Sequence, residues 1–259
     1  MRRTLQDNLR NVRDRIAEAC GRAGRDPDAV RLLAVTKSVG IDVIRMLFEM
    51  GITEFGENRA QELIRRAAVM RDLLECHETV DSPAPAPKAV RWHMVGYLQR
   101  NKVKSLIPWV TMFQSVDRLR LAEEINKRAA DVGHPADVLL EVNGGNEPQK
   151  SGAPVCAASH LGEQVASMPN LRLRGLMTMA PWTSDETELR NVFTRVRELF
   201  DEMRHDFAVG DAFDIYSAGM TNDFEIAVEC GSNMVRIGTA LFEGLDRHLS
   251  DAATTSKES

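Results

Sequence analysis

The chain is 259 residues long, 43% hydrophobic and 27% charged, the proportions of an ordinary globular protein, and the length suits one large domain or two small ones. A net charge of −5 gives no basic field to recruit nucleic acid or an anionic membrane surface. No apolar run approaches the roughly 18 residues of a membrane span, and no apolar segment follows Arg2 and Arg3 as a signal peptide would require.

Leu5, Leu9, Val12, Ile16 and Ala19 recur at spacings of four and three, which predicts an amphipathic helix ending near Gly21 and Gly24. A regular alternation follows. Strands are predicted at 32–37, 53–57, 91–96, 111–116, 138–143, 173–179, 213–217 and 234–238. Helices are predicted at 41–50, 60–75, 99–107, 118–132, 155–168, 185–207 and 222–230, with a last helix-like piece after Thr239. Thr183 with Glu186, and Asn222 with Glu225, have capping-box spacing, and Gly133 and Gly231 stand where helices end. About eight strand–helix repeats in a chain of this length predict a closed (β/α)8 barrel, an architecture that takes about 250 residues. A doubly wound sheet competes, but no GxGxxG follows the first strand. Residues 79–90, rich in Pro and Ala, read as an extended exposed loop. The barrel with its N-terminal helix is expected over 1–249, and 250–259 as a disordered tail.

Two places carry chemistry. Lys37 closes the apolar run Arg-Leu-Leu-Ala-Val-Thr-Lys, at the strand end where a parallel barrel places reactive groups. A lysine amine partly buried there has a lowered pKa and forms Schiff bases; a surface lysine at a strand end fits this segment equally well. The second place is the block from Tyr216 to Phe242. Ser-Ala-Gly-Met-Thr221 follows the seventh strand and Ile-Gly-Thr239 the eighth, two small-residue turns where free N–H groups and threonine hydroxyls suit an anion. Barrels of this type place phosphate at the loops after strands seven and eight. Either turn alone is explained by tight turns and helix caps; the adjacent pair favours the anion site. Arg236 lies within the apolar strand Met-Val-Arg-Ile-Gly and needs either a ligand or a salt bridge, with Glu57 or Glu141 as candidates for the latter.

Leu-Leu-Ala-Val-Thr-Lys37, Phe-Gly-Glu-Asn58 with Gln61-Glu62, Trp-His93-Met-Val-Gly96, Ser115-Val-Asp-Arg118, Val142-Asn143 with Lys150-Ser-Gly152, Leu173-Arg-Gly-Leu-Met177 and the closing block occur in order. Together they resemble the YggS/PROSC family of pyridoxal 5′-phosphate (PLP) homeostasis proteins over nearly the whole chain. The resemblance implies a fold type III barrel like the N-terminal domain of alanine racemase, holding PLP on Lys37 as an internal aldimine. By position, Arg236 would face the pyridine nitrogen. Thr221, Gly238 and Thr239 would hold the phosphate, Ser217 and Met220 would shape that cradle, and Asn58 and His93 would line the cofactor. The chain departs from the family's usual pattern with Thr for Ser at 221, with Ser-Val-Gly40 for Thr/Phe-x-Pro after Lys37, with Glu243 inserted before Gly244, and with a long 79–90 loop.

The expected function is a non-enzymatic PLP carrier or buffer that limits free PLP and passes it to apo-PLP enzymes. An always-charged Arg at the pyridine nitrogen weakens the ring as an electron sink. Related racemases take a second base, a tyrosine, from a further β domain, and that domain is not expected here; its absence also favours a monomer. The alternatives are a weak PLP-dependent racemase or lyase with Lys37 as sole base, and a Schiff-base aldolase whose lysine attacks a sugar phosphate. Lys150 is either a second amine for loading or a solvated loop lysine. Cys20, Cys76, Cys156 and Cys230 are scattered without CxxC spacing, which argues against zinc and disulfides and suits the cytoplasm. The six histidines lack metal-site spacing, and Arg65-Arg66 read as a solvated helix face beside Glu62 and Asp72.

Overall fold

The computed structural model describes residues 1–78, 89–145, 147, 151–206 and 212–245. Residues 79–88 of the Pro-rich segment, Lys150 and the expected tail from Ser250 lie outside the described residues. The described strands are β1 (Arg31–Val35), β2 (Glu54–Glu57), β3 (Arg91–Met94), β4 (Met112–Val116), β5 (Ala136–Asn143), β6 (Ala153–Pro154), β7 (Leu171–Thr178), β8 (Ile215–Ser217) and β9 (Met234–Ile237). All are parallel, in the order β4-β3-β2-β1-β9-β8-β7-β5, and β5 also pairs with β4, which closes the ring at eight strands. The two-residue β6, absent from the sequence expectation, lies beside the end of β5.

The helices are α1 (Arg2–Ala23), α2 (Ile41–Glu49), α3 (Ala60–Glu78), α4 (Val103–Leu106), α5 (Leu119–Val132), α6 (Val155–Ala166), α7 (Glu186–Asp206) and α8 (Phe224–Glu229). The predicted stripe of α1 is buried at every position from Leu5 to Ala19, and α1 packs on α8. Its aliphatic side chains stabilise this packing by roughly 1.5–3 kcal/mol each. That outweighs the flanking Arg15–Glu225 and Arg22–Glu229 pairs, both at 2.6 Å and partly solvated, worth about 0.2–1 kcal/mol each.

The predicted strands and most of the predicted helices stand, with differences at their ends. The helix expected at 99–107 is a 3-10 turn over Arg100–Lys102 followed by the short α4. Asp185, not Thr183, caps α7, its Oδ1 accepting from Thr187 N and Glu188 N. Asp223, not Asn222, stands at the N-terminus of α8, and its carboxylate accepts from Met220 N at 2.6 Å. After Thr239 the chain makes turns rather than a helix as far as Leu245. Gly133 and Gly231 take left-handed dihedrals after α5 and α8, as their positions predicted.

The barrel axis is filled in layers. Leu33, Met112, Leu139, Met177, Ile215 and Met234, one from each of six strands, form an interior cluster separate from the core under the helices. At the N-terminal end, charged residues pair around the ring: Arg31 with Asp214, Arg174 with Asp214 and Asp137, Arg172 with Asp137, and Arg91 with Glu54. The polar side chains of the other end form the candidate site.

Candidate functional site

Parallel strands put all their C-terminal ends on one face, so neighbouring strands deliver neighbouring loops. β2, β1, β9 and β8 are consecutive in the ring. Their ends bring together Asn58 after β2, Lys37 after β1, Gly238 and Thr239 after β9, and Ser217, Met220 and Thr221 at the end of β8. Arg236 stands in β9 on the same arc.

Lys37 is exposed, in a turn two residues beyond β1. Of the two sequence readings the surface lysine is the one found, and among the described residues its amine has no hydrogen-bond or ion-pair partner. Its turn is closed by Val39 N donating to Thr36 O at 3.1 Å, while Thr36 N continues the ladder to Gly56 O. Thr36 is fully buried and its hydroxyl donates to Glu57 Oε1 at 2.5 Å. Asn58 is exposed at the rim beside it.

The two turns after β8 and β9 are joined. Arg236 N donates to Gly219 O at 3.0 Å, and Ala240 N donates to Thr221 Oγ1 at 3.3 Å. Gly219 has φ +94°, and a Cβ there would lie 2.8 Å from Phe224 Cα and from Ala227 Cβ. At Gly238 a Cβ would stand 3.1 Å from Val35 O, so a side chain there would crowd the end of β1. The N–H groups of Thr221, Asn222 and Thr239 donate to no other group among the described residues. Free N–H groups in two adjoining turns suit an anion.

Arg236 is buried, and burial pushes its pKa down to about 10, against the opposing pull of Asp223 and Glu141. Neither salt bridge considered from the sequence forms. Nη1 donates to Ser217 Oγ at 2.9 Å and Nη2 to Thr178 O at 2.9 Å, both neutral acceptors. Among the described residues no carboxylate lies within ion-pair distance of the guanidinium, so its charge is held in the barrel without direct neutralisation. Glu141, buried nearby, has its pKa raised by burial and accepts from Ser151 Oγ at 2.5 Å. The other sequence candidate, Glu57, pairs with Arg66.

His93 lies deeper than the rim, since it pairs in register with Gly56, two residues below Asn58. It is fully buried, and burial with the charges of Arg91 and Arg31 lowers its pKa to about 3. A chain of hydrogen bonds connects it to the mouth. Arg236 donates to Ser217, Ser217 Oγ donates to Gln114 Oε1 at 2.8 Å, and Gln114 Nε2 contacts His93 Nδ1 at 2.9 Å. With the amide donating, Nδ1 accepts, and the neutral ring carries its proton on Nε2, 4.0 Å from Glu54 Oε2.

Three participants were missed in the sequence. Gln114 has a signal, a lone amide in the apolar strand Met-Phe-Gln-Ser-Val. Thr178 contributes a backbone carbonyl, which no sequence pattern marks. Arg66 was assigned to a solvated face, yet it is buried while Arg65 beside it is exposed and paired with Glu62. Tyr216 packs outside the barrel against Phe200, its hydroxyl donating to Phe193 O at 2.8 Å.

Comparison with known proteins follows the same lines. Residues 4–246 match the profile of the family described as alanine racemase, N-terminal domain. The pyridoxal phosphate homeostasis protein of Aquifex aeolicus (strain VF5) is 39% identical over 236 residues, covering 91% of this chain and 96% of that protein. A protein of unknown function from Bifidobacterium adolescentis superposes with TM-score 0.85 at 36% identity, covering 93% of this chain and 95% of its own. PipY of Synechococcus elongatus PCC7942, solved with PLP bound, superposes with TM-score 0.71 at 28% identity, covering 88% of this chain and 99% of its own.

Proposed function

The chain belongs to the alanine racemase N-terminal domain family, among its pyridoxal phosphate homeostasis proteins, and from that premise we propose that it binds PLP reversibly at the barrel mouth without turnover of its own. The relatives' name and the PLP-bound PipY support this reading, and so does the chemistry of the mouth. PLP has a phosphate at one end and an aldehyde at the other. The free N–H groups of Thr221 and Thr239, with a glycine at 238 where a side chain would crowd Val35 O, fit the phosphate. The Lys37 amine fits the aldehyde. The observation that carries the proposal is the buried Arg236, on the strand between β1 and β8 and with no carboxylate at ion-pair distance among the described residues, a charge whose cost an anionic or electron-rich ligand would offset.

When bound, PLP brings an aldehyde carbon that condenses with a primary amine, releasing water. The chain's part is to hold and orient. Thr221, Gly238 and Thr239 would take the phosphate, with Ser217 and Met220 shaping its surroundings. Arg236, kept charged at neutral pH, would present a donor to the ring nitrogen and disfavour its protonation. Asn58 would line the rim near Lys37. His93 would act from below, through Gln114 and Ser217, to keep the guanidinium aimed.

The side chains that could serve as a second acid or base support a carrier rather than an enzyme. The Tyr216 hydroxyl is committed to Phe193, with its pKa raised by burial, and His93 stays neutral with Nδ1 held by Gln114. All residues of the proposed site come from one barrel, consistent with a monomer that gives PLP to apo-enzymes in the cytoplasm. Among the described residues no helix is long and apolar enough to cross a membrane.

The test begins with purified protein mixed with PLP, reduced with borohydride and mapped by peptide mass. A pyridoxyl group on the Lys37 peptide is expected, with none in Lys37→Ala. Racemisation and elimination assays over a panel of amino acids should show no turnover. Modification spread over other lysines would refute the site, and Lys37-dependent turnover would replace the carrier with the weak enzyme.

A further inference from the structure

Lys37 stands free, but the backbone beneath it does not. Thr36, Lys37, Ser38 and Val39 form a four-residue turn with Lys37 and Ser38 at its centre. One guanidinium holds both ends: Arg66 Nη1 donates to Thr36 O at 2.6 Å, and Nη2 donates to Val39 O at 2.8 Å. Arg66 lies on α3 and is 5% exposed. Its charge is met by Glu57, which also accepts from the Thr36 hydroxyl. Glu57 is the last residue of β2, next to Asn58. A buried ion pair is weak evidence for stability, since apolar residues of the same volume often serve as well. What an apolar pair cannot do is grip two carbonyls on either side of a chosen residue. Gly40, just after the turn, adds no stiffness of its own.

We propose that Arg66, held by Glu57, is a positioning residue that fixes the Lys37 turn so that its amine meets the aldehyde of a ligand anchored by its phosphate. The proposal rests on the reading of Lys37 as the PLP-capturing amine. An exposed lysine samples many rotamers, and capture at the mouth gains from having its Cα fixed relative to the phosphate turns. The advantage is one of orientation, which raises effective concentration without changing the amine itself.

The experiment compares wild type, Arg66→Lys and the double variant Glu57→Gln/Arg66→Met. The double variant leaves no unpaired buried charge and is chosen to fold; circular dichroism and thermal melting check that it does. Two ligands are used. PLP reports covalent capture at Lys37, by absorbance and by mass after borohydride. Pyridoxine 5′-phosphate carries the phosphate and ring but no aldehyde, so its binding reports the pocket alone. Capture of PLP is expected to slow by about tenfold or more in the double variant. Arg66→Lys, whose single ammonium reaches fewer of the three acceptors, should fall between it and wild type. Binding of pyridoxine 5′-phosphate should stay within about twofold of wild type. Unchanged PLP capture overturns the proposal, as does an equal fall for both ligands, which means the pair only supports the fold. Failure of the wild type to capture PLP at Lys37 would instead overturn the functional reading, and the positioning role with it.

Discussion

Replacing Arg236 with Met separates the stability of the barrel from the use made of it. The fall of its pKa from the ordinary arginine value to about 10 corresponds to roughly 3 kcal/mol spent on holding the charge inside. The sign follows from linkage. The unfolded chain binds the proton more tightly, so the cost is fully present at neutral pH and is relieved only as pH rises through 10. Met removes this cost and keeps most of the side-chain volume. It also leaves Ser217 Oγ and Thr178 O without a donor, at about 1 kcal/mol each. The net is a gain of about 1 kcal/mol, or some 2–4 °C in melting temperature for a domain of this size. Losing a charged donor to the ligand should weaken PLP binding by about 1.5–3 kcal/mol, ten- to a hundredfold. Differential scanning calorimetry of the ligand-free protein and a PLP titration measure the two quantities. A melting temperature lowered by 10 °C with unchanged PLP affinity would refute the reasoning, because Arg236 would then be a structural group.

Two further outcomes follow from the geometry. Because His93 is kept neutral down to about pH 3 while an ordinary histidine protonates near 6.5, the stability it contributes is present above that pH and lost below it, by about 1.4 kcal/mol per pH unit. The stability gap between wild type and His93→Asn, from urea melts at pH 7.5 and 4.5, should therefore narrow by about 2–3 kcal/mol; a gap independent of pH counts against the buried neutral ring. Gly219→Ala places a Cβ against Phe224 and Ala227 in a left-handed backbone and should cost about 1–3 kcal/mol. It should also lower PLP affinity, since Gly219 O holds the Arg236 backbone; an unchanged melting temperature would contradict the close approach.

The barrel was legible because its signals are local and repeated. Short apolar strands alternate with amphipathic helices at a steady spacing, so a ring of eight followed from counting. The arc of site residues was legible because parallel topology turns strand-end positions into neighbours without knowledge of side-chain contacts. What stayed hidden is relational. Arg66 reads as half of a basic pair on a polar helix, and only the packing of α3 against β2 shows that one arginine turns inward and its neighbour outward. The sequence leaves Lys37 open between partial burial and the surface, and only the strand end, two residues sooner than the apolar run implies, decides for the surface. Thr178 acts through a carbonyl common to every residue. Caps slipped by one or two positions, because Asp185 and Asp223 stand beside the Thr and Asn that suit the same role.

The ion pairs that ring the N-terminal end, with the apolar plug of Leu33, Leu139 and Ile215 above them, fill the barrel's interior from its base. On the proposed reading, whatever enters would leave by the same doorway. Loading and unloading would then exclude each other, and a recipient could not receive the cargo through a rear exit while a donor occupied the front. Handover would occur in turn at one opening, at a pace set by how long each visitor stays there.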